Sequence, residues 1–485
     1  MMLTLIIAVV AVATAAAISP PSGIHLAYGG NESMTVSFSY NTTSSQTCVY
    51  GLQSGGPTSI ATTQVRTYLG GSFHHASMGP LIANTAYKYS CAGGLSSSFT
   101  SQPAEGDLSW GGFATFGDWG YLGSAERGAS LPVGGLQANW SAVPVRRLLE
   151  SWRDNMTFVL HTGDIDYADD AFGEHLFEFT YETVKSGWFD WVQNISSTIP
   201  YMVSVGNHES DCHSPACFLD LTLGEGERNF TAYNTRWNMP SDTSGGVMNM
   251  WYSWNVGGVH FVALDTETDF VGAQEENAGD DGVFSAGHFG PDGAYLAWLT
   301  ADLNAAAADP NIAFIVAHGH RPFEDLPSDH AQTLVSLFTA AKVDVYFAGH
   351  GHSYARYDVS AWGDSTVHIM AGGAGCDEMG WPKAAAVAVA AAAATPAQAC
   401  TEWCTAFEAQ SLAMNKTQRA CHFCSANGAT PVATTSNYAA GFVTVSNDSL
   451  TFRLHNAPDG AILDTIVIPK KARVAARAAG VAASL

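Results

Sequence analysis

The chain is poor in basic residues. Its 485 residues include 20 lysines and arginines against 44 aspartates and glutamates, which gives a formal net charge of −24. Nucleic acids and anionic membrane surfaces are bound by basic faces, so this balance argues against either as the main partner. A small anionic substrate remains compatible with it, because bound metal ions can reverse the local electrostatic field.

Long apolar runs are missing beyond the first residues. The opening stretch, MMLTLIIAVVAVATAAAISPP, ends in small residues but lacks a basic start. It predicts a secretory signal peptide over residues 1–17, with a membrane anchor as the alternative, although the run is short for a span. No later stretch is long and apolar enough to span, so we expect no membrane span in the mature chain.

Glycosylation sequons favour a protein that is secreted or extracellular, or one that the secretory pathway delivers to a vacuole or lysosome. A single N-x-Ser/Thr sequon is expected by chance, whereas a set of this size favours a glycoprotein. The sequons lie at Asn31, Asn41, Asn139, Asn155, Asn194, Asn229, Asn415 and Asn447.

The 9 cysteines fit an oxidising compartment. Cys48 and Cys91 can staple the N-terminal segment, and Cys212 and Cys217 are close enough for a small loop. A C-x3-C…C-x2-C set predicts two disulfides in a secreted protein, with zinc as the alternative in a cytosolic one. Cys376 is then left over. That set comprises Cys400, Cys404, Cys421 and Cys424.

Hydrophobic patterning divides the chain into two domains. Residues 18–105 contain short alternating segments such as MTVSFSY and AYKYSC between polar turns, which predicts a small antiparallel β-sandwich. Residues 106–470 alternate apolar strands with helical patterns, which predicts an α/β layered sheet. An Ala- and Cys-rich insertion covers 381–430, and a basic Ala-rich tail covers 471–485. Helices are predicted around Leu136–Trp152, Glu174–Val192, Asp292–Ala307 and His330–Ala341.

Five apolar strands of the second domain end in polar side chains of the types that bind ligands. Each strand is followed by a glycine or histidine and then by carboxylate, amide, phenol or imidazole groups. In open α/β sheets, ligands bind in the crevice at the carboxyl ends of the strands. The five motifs are GDWG from Gly117, GDIDY from Gly163, GNHE from Gly206, HGHRP from His318 and GHGH from Gly349.

These strand ends contain seven candidate metal donors and no cysteine. Oxygen and nitrogen donors suit hard or borderline cations such as iron, zinc and manganese. Seven donors are too many for one tetrahedral ion, but a bridging Asp164 would give each of two ions four protein donors. Two adjacent ions can share a hydroxide and hold a phosphoryl oxygen. The donors are Asp118, Asp164, Tyr167, Asn207, His320, His350 and His352.

The five motifs resemble those of the purple acid phosphatases, within the calcineurin-like metallophosphoesterases. The family pattern is GDxG, GDxxY, GNH(D/E), VxxH and GHxH, and the resemblance covers nearly the whole chain. It implies a layered β-sandwich flanked by helices, the metallophosphoesterase fold, preceded by a small all-β fibronectin-III-like domain.

The resemblance also implies which ion each donor holds. Gly120 stands where generic metallophosphoesterases carry a histidine, and Tyr167 supplies a phenolate, a hard donor matched to a trivalent ion. The implied Fe(III) ligands are Asp118, Asp164, Tyr167 and His352. A divalent ion (Fe, Zn or Mn) would be held by Asp164, Asn207, His320 and His350.

Two positions depart from the family pattern. Ala317 replaces the valine of the fourth motif, and His318 competes with His320 as a ligand, although the variant GHRP favours His320. Ala355 occupies the place of a glutamate that usually follows the last motif. His318 can instead be a strand residue or a supporting group.

The implied activity is that of a secreted acid phosphatase acting on small phosphate monoesters, by attack of a metal-bound hydroxide on phosphorus. His208 follows the ligand Asn207 and can bond a phosphate oxygen or the leaving group. His330, ten residues after His320, is near the sequence position at which some family members carry a second active-site histidine; the alternative is a surface residue at a helix start. Protonated imidazole is a plausible acid near its pKa of about 6.5.

Other readings stay open at this point. The same site could serve a phosphodiesterase or nucleotide pyrophosphatase, or the chain could be a binding glycoprotein with a vestigial site. The resemblance leaves a homodimer open as the assembly. Glu209 is expected to support its loop or orient His208, and Asp166, Asp169 and Asp170 are expected to be solvated or supporting.

Overall fold

A computed structural model describes residues 20–30, 32–121, 142–170, 181–211, 226–277, 284–376, 430–435 and 437–473. The predicted signal peptide, nearly all of the 381–430 insertion and most of the basic tail lie outside these residues, as do Cys212, Cys217 and the four-cysteine set.

The N-terminal domain is a sandwich of two four-stranded sheets, ordered β1-β2-β6-β5 and β4-β3-β7-β8. Its strands are β1 Ser22–Tyr28, β2 Met34–Ser39, β3 Thr47–Leu52, β4 Thr58–Thr62, β5 Gln64–Tyr68, β6 Gly71–Met78, β7 Ala86–Cys91 and β8 Leu95–Thr100.

A disulfide joins two neighbouring strands of the second of these sheets. The antiparallel register of β3 and β7 puts Cys48 directly opposite Cys91, and the two are bonded. The predicted staple of this domain is therefore confirmed. Cys376, by contrast, is buried and forms no disulfide within the described residues.

The second domain contains two larger sheets. One has six strands in the order β11-β10-β9-β19-β20-β21, and the other has seven in the order β12-β13-β14-β15-β17-β16-β18. The strands are β9 Gly112–Phe116, β10 Phe158–Thr162, β11 Tyr201–Ser204, β12 Tyr252–Val256, β13 Val259–Ala263, β14 Phe314–His318, β15 Val345–Ala348, β16 Tyr354–Asp358, β17 Val367–Ala371, β18 Thr430–Thr435, β19 Ala439–Val445, β20 Ser449–Asn456 and β21 Ile462–Pro469.

Aromatic side chains fill the space between these two sheets. Phe113 and Phe158 of the first sheet meet Phe261 of the second with ring centroids 5.3 and 5.0 Å apart. Phe347 approaches Phe113 at 6.2 Å in the same edge-to-face manner. Parallel strands buried on both faces read as continuous apolar runs, which is why these strands were visible in the sequence. The predicted fold, a layered β-sandwich with helices after a small all-β domain, is confirmed.

The helices follow the sequence expectation with shifted ends. They are α1 Ala142–Trp152, α2 Tyr181–Ser196, α3 Thr231–Arg236, α4 Ser241–Ser244, α5 Ala294–Ala308 and α6 Ser328–Ala341. The last helix begins two residues before the predicted His330, directly after Pro327, and a proline is well tolerated where a helix starts. Residues 136–141 and 174–180 of the first two predicted helices lie outside the described residues. Across the described ranges, every helix is too short or too polar to cross a membrane.

The N-terminal domain caps the C-terminal end of α3. Arg66 donates to two carbonyls at 2.9 Å, while His75 Nε2 and His25 Nε2 lie 2.9 and 3.1 Å from two others, all within residues 234–237. The last carbonyls of a helix have no partner inside the helix. The N-terminal domain satisfies them here, so it is an integral support of the second domain.

This docking predicts acid sensitivity. Burial lowers the pKa of His25 from 6.5 to about 4, against the opposing effect of its bonds to two carbonyls. A histidine kept neutral in the fold takes up a proton on unfolding below pH 6.5, so its contribution is complete above pH 6.5 and is lost as the pH falls towards 4. The shift corresponds to about 3 kcal/mol of unfolding free energy.

We therefore expect the melting temperature of the wild type to fall between pH 6.5 and 4, and to fall less steeply in His25→Gln. Thermal denaturation of both proteins over this range measures the difference. His288→Gln is the control, because that side chain is 53% exposed. Equal slopes for His25→Gln and the wild type would contradict the prediction.

Candidate metal centre

The five motif loops meet at one edge of the stacked sheets. Parallel strands point their carboxyl ends the same way, so the residues that follow them converge. Four of the seven donors have left-handed backbone conformations, with φ between 53° and 66°, at Asp118, Asp164, Tyr167 and His350. Such conformations are costly for residues with a side chain and cluster at functional sites.

Two overlapping groups of donors form at this edge. One contains Asp164, His320 and His350, and the other contains Asp118, Asp164 and His352, with the donor atoms of each group within 4.8 Å of one another. Asp164 belongs to both. This sharing is the arrangement that a carboxylate bridging two cations requires.

The phenol of Tyr167 lies inside the second group. Its hydroxyl is 2.9 Å from Nε2 of His352 and 3.2 Å from a carboxylate oxygen of both Asp118 and Asp164. The residue is 1% exposed. A tyrosine hydroxyl in this position can serve as an oxygen donor to a cation held by the same carboxylates.

The amide of Asn207 lies inside the first group. Its Oδ1 is 2.9 Å from Nε2 of His320 and 3.0 Å from Nδ1 of His350, and Nε2 of His320 is 3.1 Å from Asp164. The outer nitrogen of His320, Nδ1, lies 2.8 Å from the carbonyl of Thr162. A metal-binding histidine is usually oriented through its second nitrogen in this way.

Glu209 ties two of the motif loops together. Its carboxylate accepts the N–H groups of Asp164 and Ile165, both at 3.0 Å, and of Gly206 at 2.9 Å. A Cβ on Gly206 would lie 2.3 Å from an oxygen of Asp164, so only glycine allows this approach. The expectation that Glu209 supports its loop therefore has a geometric basis.

The centre carries an excess of buried carboxylates. Burial raises the pKa of Asp118, and burial together with repulsion from Asp164 raises the pKa of Glu209 to about 8. Burial also opposes ionisation of Asp164, but attraction to His320 and His208 holds its pKa well below the ordinary range. Cations bound between these groups would relieve the repulsion, so the donor set fits two metal ions in number, chemistry and charge.

Asp166 in the second motif and Asp169 just after it are buried, which corrects the expectation that they could be solvated. Asp166 forms an ion pair with Lys185 at 2.8 Å, and both side chains are 3% exposed. Asp169 lies 2.8 Å from Nδ1 of His208, whose ring packs on Tyr167 with centroids 4.2 Å apart. Sequence spacing could not reveal these partners, because Lys185 and His208 come from other segments. Their supporting role agrees with the other half of that expectation.

The two remaining histidines of interest pack against aromatic rings. His318 is the last residue of β14, is fully buried and lies edge-on to Tyr252 and Trp254. His330 stacks on Phe270 with centroids 3.8 Å apart, and burial lowers its pKa to about 4. His318 therefore has the surroundings of a strand residue, and His330 has those of a neutral, packed imidazole.

Sequence reasoning missed a buried network beside the first donor group. Arg321 donates to Glu267 at 2.7 Å and to Glu275 at 2.9 Å, and all three side chains are at most 1% exposed. Asp211 accepts a hydrogen bond from the amide of Asn207 at 2.8 Å. The two glutamates and Asp211 lie outside the five motifs, so no local signal marked them. Arg321 belongs to the HGHRP motif, but the motif did not indicate which carboxylates it would pair with.

Comparison with protein families gives two matches along the chain. Residues 113–354 match the calcineurin-like phosphoesterase family, and residues 21–105 match the N-terminal domain of purple acid phosphatases.

Several curated proteins are similar to the chain. Purple acid phosphatase 22 of Arabidopsis thaliana is 28% identical over 375 residues, covering 74% of this chain and 72% of that protein. Acid phosphatase A of Cryphonectria parasitica is 32% identical over 276 residues, or 48% of this chain and 53% of that protein. Human acid phosphatase type 7 is 26% identical over 408 residues, covering 74% and 78%.

Among solved structures, the purple acid phosphatase PPD1 from yellow lupin seeds has a TM-score of 0.65 at 16% identity, covering 93% of this chain and 75% of that one. PhoD has a TM-score of 0.57 at 11% identity, covering 93% and 89%. At these identities the likeness concerns the fold.

Proposed function

Because the chain belongs to the purple acid phosphatases, a branch of the calcineurin-like phosphoesterases, we propose that it is an acid phosphatase hydrolysing small phosphate monoesters at a two-metal centre. The observation that carries this proposal is the shared position of Asp164 in two buried donor groups. Two-metal hydrolases use a pair of ions, bridged by shared ligands, to hold the attacking and leaving oxygens of an in-line displacement.

We assign one ion to each group. Fe(III) is assigned to Asp118, Asp164, Tyr167 and His352, and a divalent Fe, Zn or Mn ion to Asp164, Asn207, His320 and His350. The first assignment is supported by the Tyr167 hydroxyl, 2.9 Å from His352 and 3.2 Å from both carboxylates. When bound, the two ions supply a water of lowered pKa as the nucleophile and hold the phosphoryl oxygens.

The chain's own residues then handle substrate and protons. Asp169 holds Nδ1 of His208 at 2.8 Å, and the ring rests on Tyr167, so Nε2 is the nitrogen that we assign to a phosphate oxygen or the leaving group. A carboxylate behind an imidazole fixes the tautomer and favours its protonated form. His208 is thus the better supported of the two proposed acids.

His330 remains a prediction as a second acid. Its low pKa, about 4, results from burial and keeps the ring neutral above that pH. To donate a proton in a mildly acidic medium it would have to leave the face of Phe270, on which it stacks.

The proposed reaction is tested by comparing p-nitrophenyl phosphate with bis-p-nitrophenyl phosphate, on purified protein whose bound metals are measured in parallel. We expect the monoester to be hydrolysed faster, with iron and a divalent ion bound. Preference for the bis ester would contradict the monoesterase assignment and favour a phosphodiesterase. Bound metal without hydrolysis of either ester would favour the binding glycoprotein.

We further propose that the chain enters the secretory pathway. Support comes from the Cys48–Cys91 disulfide and from the sequons, because every sequon asparagine in the described ranges is exposed. These are Asn41, Asn155, Asn194, Asn229 and Asn447. A purified protein with the mass of the bare polypeptide would argue against glycosylation.

A further inference from the structure

Asn207 is oriented by an acidic side chain four residues further along. Its Nδ2 donates to Oδ2 of Asp211 at 2.8 Å, and the Asp211 backbone N–H in turn donates to the carbonyl of Asn207 at 2.8 Å. Asp211 is fully buried. Side chain and backbone are therefore held together as one compact turn.

The two ends of an amide have nearly the same shape but opposite hydrogen-bonding character. A carboxylate accepts hydrogen bonds only, so it selects the NH2 end. With Nδ2 turned to Asp211, Oδ1 of Asn207 faces Nε2 of His320 at 2.9 Å and Nδ1 of His350 at 3.0 Å. A cation can bind the amide oxygen but not the NH2 group.

We propose that Asp211 is a positioning residue for the divalent half of the centre, because it fixes the Asn207 amide with its oxygen towards the ion. This inference rests on the proposed function, since it assumes the two-metal assignment. Asp211 is not one of the seven donors. It acts on the divalent half of the centre through Asn207, one of the ligands of that half.

The buried network around Asp211 supports this role. Burial and the neighbouring Asp211 carboxylate raise the pKa of Glu275, so the Glu275 carboxyl is the donor of the hydrogen bond that joins it to Asp211. Glu275 Oε1 accepts from Arg321 at 2.9 Å. Nη1 of Arg321 lies 3.2 Å from Nε2 of His350, a second proposed ligand of the divalent ion. Arg321 also directly follows His320 in the sequence, and His320 is a third proposed ligand of the divalent ion. The network therefore holds the amide and one imidazole of the same half in a fixed relation.

The proposal predicts a selective loss of the divalent ion. Asp211→Ala should bind Zn²⁺ about 10–100-fold more weakly, the usual cost of losing a group that orients a ligand. Its iron content and visible absorption should equal those of the wild type, because Asp118, Tyr167 and His352 are untouched. Zn²⁺ titration of the iron-retaining protein, with elemental analysis, measures both quantities.

Two further variants separate positioning from a general effect. Asp211→Asn keeps an acceptor oxygen for Nδ2 and should recover most of the Zn²⁺ affinity; it also serves if the alanine variant fails to fold. In an Asn207→Asp background, both ends of the side chain are oxygens, so Asp211→Ala should no longer weaken Zn²⁺ binding. The control is Asp364→Ala, which removes a buried carboxylate that bonds His368 and Thr366.

The outcomes are distinct. Wild-type Zn²⁺ affinity in Asp211→Ala, equal loss of iron and zinc, or the same loss in the Asn207→Asp background would each overturn the proposal. A wild-type protein that binds no metal would instead overturn the two-metal assignment. The wild-type measurement therefore separates failure of the function from failure of the positioning role.

Discussion

Replacing Asp164 with alanine should abolish phosphatase activity, with a fall in kcat/KM of about a thousandfold or more. Asp164 is the one residue common to both donor groups, so its loss removes a donor and a negative charge from both of the proposed ion sites at once. Asp164 Oδ1 also accepts a hydrogen bond from the backbone N–H of His208 at 3.0 Å, so the loop that carries the proposed acid His208 loses this hydrogen bond as well. Steady-state kinetics with p-nitrophenyl phosphate measures the effect.

The same variant separates loss of metal from loss of fold. Metal ions that bind only the folded state raise its melting temperature, and Asp164→Ala should lose that response while remaining folded. Asp358→Asn, which changes an exposed carboxylate, is the control and should behave as the wild type. Substantial hydrolysis by Asp164→Ala would exclude a bridging role for this carboxylate.

Replacing Tyr167 with phenylalanine should remove the visible absorption of the iron-loaded protein. The colour of such a centre arises from charge transfer between a phenolate and Fe(III), and phenylalanine keeps the ring but not the oxygen. Packing should survive, because the ring still covers His208. We expect activity to fall by at least about 10–100-fold, the usual cost of losing even a group that only orients a metal ligand, since this variant removes one of the four donors proposed for the iron.

A second buried tyrosine supplies the control for this substitution. Tyr201 is fully buried and its hydroxyl lies 3.0 Å from Nδ1 of His161, so Tyr201→Phe removes an equivalent oxygen elsewhere. Its visible spectrum should match that of the wild type. An unchanged band in Tyr167→Phe, or a colourless and iron-free wild type that hydrolyses the monoester, would refute the iron assignment.

Strand positions in the sheets were predictable where burial imposes a continuous apolar run. Four strands are buried on both faces of their sheets, and their continuous apolar runs were recognised in the sequence. They are β9, β10, β14 and β15. β16 and β18 were missed. Their sequences, YARYD and TPVATT, carry little apolar signal, and β16 is a strand because it pairs antiparallel with both β17 and β18. The pairing with β18, which places Tyr354 opposite Thr435, joins segments far apart in the sequence and so leaves no local pattern.

The supporting residues of the centre were less predictable than its donors. The sequence raised Asp166 and Asp169 only as solvated or supporting side chains, and folding brings Lys185 and His208 to them. Asp211, Glu267 and Glu275 had no motif at all. A buried charge is tolerated only with a partner, and the partner can come from any segment that the fold brings near.

The sequence by itself determined which side chains can act. A strand, a turn and a donor form a local unit, because the strand's direction and the glycine's freedom set where the next side chain points. Five such units predicted seven donors and a family. Only the tertiary structure decided how those donors are held: which nitrogen of each histidine faces inward, which end of Asn207 faces His320, and how the N-terminal domain caps α3. These depend on contacts between distant segments, which no spacing along the chain encodes.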